Sequence, residues 1–299
     1  MSDGQDIAPN LEHLGETTRA VAMRSKDERI TYVRRSRWIG YDAADAILQD
    51  FEDLLTFPKR ARMPCRLLLA DTNNGKTELL NHFLKKHPPD PNLDGDAVRV
   101  PVLMVTANGP DERGLYDAML RQLFQELSAR GGVRDRFNQL IEVLKRVQPG
   151  LIVVDEANTL IVGSTMKTRD CLNGLKHINN LLRIPIVAAG TREARNAFST
   201  DPQIQNRFEP RELPLWKADR SFRRLLASFE RGLPLREPSD LSRVEMAKDC
   251  ISRTGGTIGE VSKLLEAATV WTIRNGGERI TTEALDRCGY RSPSARWMA

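Results

Sequence analysis

The stretch from Cys65 to Leu80, Cys-Arg-Leu-Leu-Leu-Ala-Asp-Thr-Asn-Asn-Gly-Lys-Thr-Glu-Leu-Leu, admits few folds. Its apolar start reads as a short buried strand, its middle as a tight polar loop, and its end, from Gly75-Lys76-Thr77, as the opening of a helix. Strand, loop and helix in that order, closing on Gly-Lys-Thr, are the context of a phosphate-binding loop. The residues Asp71, Thr72, Asn73, Asn74 and Gly75 can turn successive backbone N–H groups into one concavity. The helix that begins Lys76-Thr77-Glu78 adds the positive end of its dipole. In such a loop Lys76 reaches the β and γ phosphates of ATP, and the Thr77 hydroxyl ligates Mg2+. The pattern G-x-x-x-x-G-K-[ST] has glycine where this chain has Ala70, a departure that costs little unless φ there is positive.

Leu151-Ile152-Val153-Val154-Asp155-Glu156 makes that pattern more specific. Four apolar residues ending in two carboxylates resemble a Walker B strand, in which Asp155 stands beside the magnesium shell and Glu156 polarises the attacking water. Val98–Thr106, Ile184–Thr191 and Arg211–Leu215 read as further strands, with Pro101 placing the first near a sheet edge. Amphipathic helices alternate with them, over Asp111–Ser128, through Leu140, Ile141 and Leu144, and after a polar loop Gly163–Arg169. Strands alternating with helices from 65 to 215 predict an α/β unit, a parallel sheet covered by helices on both faces, with ligands at the C-terminal ends of its strands.

Beyond Trp216 only helical spacing recurs, so the expected organisation is a flexible basic arm over 1–36, a nucleotide-binding α/β domain over 37–216 and an all-helical lid over 217–299. Within the arm, Arg24, Lys26, Arg29, Arg34 and Arg35 crowd basic charge ahead of Arg37 and Trp38; a solvated face and an interface to nucleic acid or a neighbouring subunit are both open. Ile39 and Tyr41 stand where a base could pack, ahead of a helix that starts at Asp42.

Composition excludes more than it selects. At 299 residues, with 40% hydrophobic and 28% charged, the chain is long enough for a buried core and has the balance of a water-soluble globular protein. A net charge of +5 permits an anionic partner without requiring one. The four cysteines carry no C-x-x-C spacing, which points away from a zinc site or a disulfide framework. The start Met-Ser-Asp-Gly-Gln-Asp lacks the basic-then-apolar order of a secretory signal, and no apolar run reaches membrane-spanning length. A cytoplasmic location without a membrane partner is expected.

In order along the chain, Arg37-Trp38-Ile39-Gly40-Tyr41, the Asn73-to-Thr77 loop, Asp155-Glu156, Gly190-Thr191-Arg192-Glu193-Ala194, and Gln203-Ile204-Gln205-Asn206-Arg207-Phe208 leading to Leu213-Pro214-Leu215-Trp216 make one constellation. It resembles the AAA+ P-loop NTPases, and among them the transposition ATPases of the TniB, TnsC and IstB kind, TniB most of all. The resemblance implies that Thr191 is the sensor 1 residue and that Arg207 is the arginine finger reaching a neighbouring subunit's site, with Arg195 and Arg211 as rivals. Gly255-Gly256-Thr257-Ile258-Gly259-Glu260 takes the sensor 2 place without the arginine many relatives carry there. With Ala70, that implies a slow ATPase.

The same resemblance implies a regulator of DNA transposition that oligomerises on double-stranded target DNA in the ATP state, as a ring or helical filament. It would recruit or activate a transposase, with a targeting adaptor protein as a further partner, and disassemble on hydrolysis. Contacts to DNA phosphates would be independent of sequence, and Arg113, Arg130, Arg134, Arg136, Lys145, Lys167 and Arg169 are the candidates. Two other classes stay open: a nucleotide-switch scaffold or signalling NTPase that touches no DNA, and a helicase or clamp-loader type of AAA+ protein.

Overall fold

The structure, a computed structural model, describes residues 10–95, 97–127 and 131–296. It divides into an α/β unit over Asp42–Pro214 and a helical unit made of the residues up to Tyr41 together with those from Leu215 onward. The described chain opens with α1 (Glu16–Ala22), α2 (Lys26–Val33) and α3 (Asp42–Leu55). Next come β1 (Cys65–Ala70), α4 (Lys76–Lys86), β2 (Val102–Thr106), α5 (Glu112–Gln122) and α6 (Val133–Val147). The α/β unit closes with β3 (Leu151–Asp155), α7 (Thr165–Leu182), β4 (Ile186–Gly190), α8 (Ala194–Ser199), α9 (Pro202–Gln205) and β5 (Phe208–Leu213).

The five strands lie in the order β2-β3-β4-β1-β5, every pairing is parallel, and helices flank the sheet. Strands β3 and β4 are buried at every residue, which explains why Leu151–Val154 and Ile186–Ala189 are uninterrupted apolar runs. Edge strand β5 buries Phe208 and Leu213 and exposes Glu209, Pro210 and Glu212. Pro210 is tolerated there because an edge strand has a free hydrogen-bonding side. The register sets Leu69 beside Gly190, Ala70 beside Leu213 and Thr106 beside Asp155, so the C-terminal ends of the strands align into one rim. Helix α3 is tied to this sheet through Asp50, whose carboxylate accepts from Arg66 of β1 at 2.7 Å and Arg211 of β5 at 2.9 Å. Burial alone would raise the Asp50 carboxyl; those two guanidinium groups outweigh it and hold it below the usual carboxylate range.

The helical unit comprises α1, α2, α10 (Arg220–Glu230), α11 (Val244–Thr254), α12 (Ile258–Arg274) and α13 (Thr282–Arg287). Its core joins Ile30 and Val33 of α2 to Phe222, Leu226, Val261, Leu264 and Ile273. The expected flexible arm over 1–36 is therefore corrected from Glu16 onward; residues 1–9 lie outside the described residues. The signal was present, since Ser25 and Glu28 form a capping box and the apolar positions after it follow helical spacing. Arg29 is only 2% exposed: its guanidinium donates to both Glu278 carboxylate oxygens and to the Pro234 carbonyl, so it bolts α2 to the unit. Arg37 likewise donates to the Gly232 carbonyl at 2.6 Å and lies over the Tyr32 ring.

Further boundaries differ from expectation: the α/β unit runs over Asp42–Pro214 and not 37–216, and the last strand over Phe208–Leu213 and not Arg211–Leu215. Helix α5 stops at Gln122, short of Ser128, where Leu123 caps it and Phe124 turns to φ 54°. Helix α7 starts at Thr165, because the Ser164 hydroxyl caps it by accepting from the Lys167 N–H, so Lys167 and Arg169 ride on a helix and not in a loop.

Candidate functional site

The site is built on the C-terminal rim of the sheet. Ala70 ends β1 fully buried and paired with Leu213, and it is not among the residues with positive φ. The absent glycine therefore imposes no strain. The chain then turns through Asn73 at φ 60° and Gly75 at φ 83°, and at Gly75 a side chain would oppose the left-handed conformation that opens α4. Asn74, 2% exposed, donates from Nδ2 to the carbonyls of Leu213 at 3.0 Å and Pro214 at 3.2 Å, which pins the loop to the end of β5. Asp71 is half-buried, while Thr72, Asn73, Thr77 and Glu78 are exposed along the loop and the first turn of α4.

Lys76, 7% exposed, folds its ammonium over the loop to donate to the Ala70 carbonyl at 3.2 Å and the Asp71 carbonyl at 3.4 Å. The Thr77 hydroxyl donates to Asp155 Oδ2 at 3.0 Å, so the fold brings together the two residues expected to flank one metal ion from far apart in the sequence. A hydroxyl and a carboxylate oxygen are hard donors that suit Mg2+, an ion that keeps several waters and takes its other ligands from substrate phosphates. No cluster of three or more His, Cys, Asp or Glu fit for a metal occurs among the described residues. Thr77 and Asp155 are the residues that would hold such an ion, whose chemistry would be to neutralise the charge of a bound polyphosphate.

Immediately after Asp155, Glu156 adopts φ 55° and ψ 37°, a left-handed conformation that costs a non-glycine residue free energy and tends to occur at functional sites. Its N–H donates to Asp155 Oδ1 at 2.8 Å and its carbonyl accepts from the Thr159 N–H, so the turn from strand to 3-10 helix (Ala157–Ile161) is held from both sides. Asn158, which the sequence did not single out, donates from Nδ2 to Glu156 Oε2 at 3.2 Å. The Asn158 backbone N would lie 3.1 Å from a Cβ on Gly190, so the glycine ending β4 lets this turn pack closely.

Thr191 follows β4 on the same rim. Its hydroxyl, hydrogen bonded to Glu193, is the chief reason that carboxyl sits below its usual range, with the Glu193 backbone, Arg192 and Lys76 adding to the effect. Arg192 reaches across to Asp71 at 3.2 Å, a second residue whose part in the rim was not legible. Thus Lys76, Thr77, Asp155, Glu156, Thr191 and the loop converge at one edge.

Arg207 lies at the other edge. It precedes β5, its carbonyl accepts from the N–H of Cys65 at the start of β1, and its Nη1 donates to Asn179 at 2.6 Å and Asn180 at 2.7 Å. Burial, with Arg62 nearby, lowers its pKa. Its rivals are engaged in ion pairs, Arg195 with Glu212 and Arg211 with Asp50 and Glu209. Ile39 and Tyr41 belong to the helical unit, packed against its core, with the Tyr41 ring edge-on to Trp216 at 5.0 Å.

The basic candidates separate in the same way. Arg136 is corrected: it is 2% exposed and its Nε lies 2.7 Å from Asp117 Oδ1, so it is an internal ion pair and is not available to a polyanion. Arg130 lies outside the described residues. Lys145 stands at the end of α6, just before β3 begins and so at the edge remote from the phosphate loop, and pairs with Glu142. Arg134 is exposed in the first turn of α6. Arg113, in the first turn of α5, and Lys167 and Arg169, in the first turns of α7, follow the C-terminal ends of β2 and β3. The loops leading to them touch, since a Cβ on Gly163 would lie 3.1 Å from the Pro110 ring.

A five-stranded parallel sheet with a phosphate loop after β1 and adjacent carboxylates after β3 defines a P-loop protein of AAA+ architecture. Its fold is similar to the ORC2 protein of Aeropyrum pernix in ADPNP-ADP complexes, with TM-score 0.60 and 16% identity over 86% of this chain and 70% of that one. It is also similar to the ORC1 protein of Aeropyrum pernix in complex with DNA, with TM-score 0.61 and 17% identity over 89% and 70%. Cdc6p of Pyrobaculum aerophilum gives TM-score 0.62 and 18% identity over 86% and 69%. The model of the bacterial TniB protein family matches residues 29–218, and the chain belongs to that family. No protein of curated function matches it by sequence. No helix among the described residues is long and apolar enough to cross a membrane.

Proposed function

We propose that this protein is an ATPase that regulates DNA transposition, assembling on duplex target DNA with ATP bound, engaging a transposase, and disassembling on hydrolysis. The observation that carries the nucleotide half is the Thr77–Asp155 contact of 3.0 Å, which unites the phosphate loop with the acidic strand end on one rim. In this reading Lys76 and the loop amides hold the triphosphate, Thr77 and Asp155 hold Mg2+, Glu156 orients and deprotonates the attacking water, and Thr191 positions the γ-phosphate. Arg207, remote from its own loop, acts on the neighbouring protomer of a homo-oligomer. Membership of the TniB family and the likeness to ORC1, solved in complex with DNA, support the DNA half. Arg113, Lys167 and Arg169, which emerge from touching loops, are the favoured phosphate contacts, and the location is cytoplasmic.

The test measures ATP hydrolysis with and without duplex DNA, and images the protein on DNA with a non-hydrolysable ATP analogue. DNA-stimulated hydrolysis and ordered assembly are expected for the parent. Lys76→Ala, which removes the loop's cation, is expected to bind nucleotide roughly 100-fold more weakly and to form no assembly. Hydrolysis indifferent to DNA would favour a nucleotide switch, and strand unwinding would favour a helicase.

A further inference from the structure

A cavity of about 370 Å³ opens on the helical unit, lined by Arg34 at the end of α2, by Lys263, Glu266, Ala267, Val270, Trp271 and Arg274 of α12, and by Cys288 after α13. The α12 positions recur at spacings of three and four, so they form one stripe along the helix. From Lys263 to Arg274 the stripe rises about 16 Å, three helical turns. Helix α12 already buries its other side, through Val261, Leu264, Leu265, Ala268 and Ile273, in the unit's core. Between its cationic ends the stripe is apolar, at half-buried Ala267 and Trp271, with Val270 beneath them, 8% exposed and already part of the core. Lys263 is paired with Glu260, but Arg34 and Arg274 are exposed and form no ion pair among the described residues.

We propose that this groove docks a short acidic amphipathic segment of a partner protein, its apolar side chains on Ala267 and Trp271 and its carboxylates on Arg34 and Arg274. Charge complementarity selects the sign of the occupant, because with Lys263 paired to Glu260 the two arginines, Arg34 and Arg274, still outnumber the single lining carboxylate of Glu266. Length selects its kind: a stripe three turns long matches an amphipathic helix with apolar residues at i, i+3, i+4 and i+7, and exceeds what a small anion could span. The apolar floor and Trp271 supply the anchor, and the arginines at the rim supply orientation and association rate. The proposal does not depend on nucleotide binding, since every lining residue belongs to the helical unit.

The test is fluorescence anisotropy on the full chain with a labelled synthetic helical peptide of fourteen residues, leucine and phenylalanine at those four spacings and glutamate elsewhere. Controls are a scrambled peptide of the same composition, the same peptide with lysine for glutamate, and a labelled oligonucleotide. Binding of the acidic peptide is expected to be at least tenfold tighter than that of the scramble and unchanged by Lys76→Ala. The double variant Arg34→Glu with Arg274→Glu, both at exposed positions, is expected to weaken the acidic peptide at least tenfold and to strengthen the lysine peptide. Trp271→Ala, checked for helicity by circular dichroism, is expected to weaken both. Equal binding of peptide and scramble would overturn the proposal, as would indifference to the charge reversal. So would oligonucleotide binding that the double variant abolishes while the peptide fails to bind.

Discussion

Ala70 shows how little a departure from a pattern can mean once its conformation is known. Because it is a regular, fully buried strand residue without positive φ, restoring the glycine removes a packed methyl and adds backbone freedom to the unfolded chain. Ala70→Gly is expected to lower stability by about 0.5–1 kcal/mol in urea denaturation and to leave nucleotide affinity unchanged. A gain in affinity would mean that the loop needs a flexibility this strand end denies it. Glu156 is the opposite case, a residue whose left-handed backbone and contact with Asn158 go beyond what a strand end requires. Glu156→Gln keeps the shape and that contact but removes the carboxylate proposed as the base. The expected result is hydrolysis slowed by roughly 10²–10⁴-fold, with nucleotide affinity in direct titration close to the parent's. Equal losses of both would assign Glu156 to the architecture of the turn.

At the scale of elements, α12 is held at its start by a buried carboxylate. Glu260, 3% exposed, accepts from both Arg296 Nη groups, from the Tyr290 hydroxyl at 2.8 Å and from Lys263 at 3.1 Å, so the segment after α13 is folded back onto α12. Burial alone would raise this carboxyl, but the three donors outweigh it and hold it at about 2, against an ordinary value of 4.5. A depressed folded-state pKa contributes stability that is complete above the unfolded value and is lost as pH falls toward the folded one. The parent is therefore expected to be more stable than Glu260→Gln at neutral pH, and the difference should shrink between about 4.5 and about 2. Urea midpoints of both proteins across that window check it; a difference that stays constant would show that Glu260 contributes by packing and not by its charge. The segment that the resemblance compares with sensor 2 is thus held at Glu260 by the residues after α13 and at Gly256, whose carbonyl accepts from the Trp216 N–H at 2.8 Å.

For the whole molecule, the position of Arg207 at the edge of the sheet away from the phosphate loop separates catalysis within a protomer from catalysis across an interface. Its hydrogen bonds to Asn179 and Asn180 anchor the guanidinium to α7. Arg207→Ala is expected to leave nucleotide binding intact while lowering hydrolysis about 10³-fold, the range for a charge that acts in the transition state. Mixed with Lys76→Ala, it should recover part of the activity, because some interfaces then pair an intact loop with an intact arginine. Activity no greater than the sum of the separate variants at matched concentration would place Arg207 within its own subunit's architecture.

Local chemistry was enough to reveal the strands β1, β3 and β4, the loop ending in Gly75-Lys76-Thr77, and the carboxylates of Asp155 and Glu156. Apolar runs, glycine at a left-handed turn and a cap before a helix act between near neighbours in the chain. The same reasoning reached α10 to α13, and could have reached α2 through Ser25 and Glu28. What it could not assign was the employment of each charge. Arg136 and Arg169 look alike as sequence, yet one is sealed against Asp117 and the other is exposed on α7. Arg29 is likewise part of a core, while Arg34, five residues later, lines an open groove. Arg192 meets Asp71 only because β4 and β1 are neighbours in the sheet, and Asn158 packs on Gly190 only because β3 and β4 are. An ion pair or a buried hydrogen bond depends on which distant segments share a neighbourhood, and that is decided by the packing of the sheet and helices.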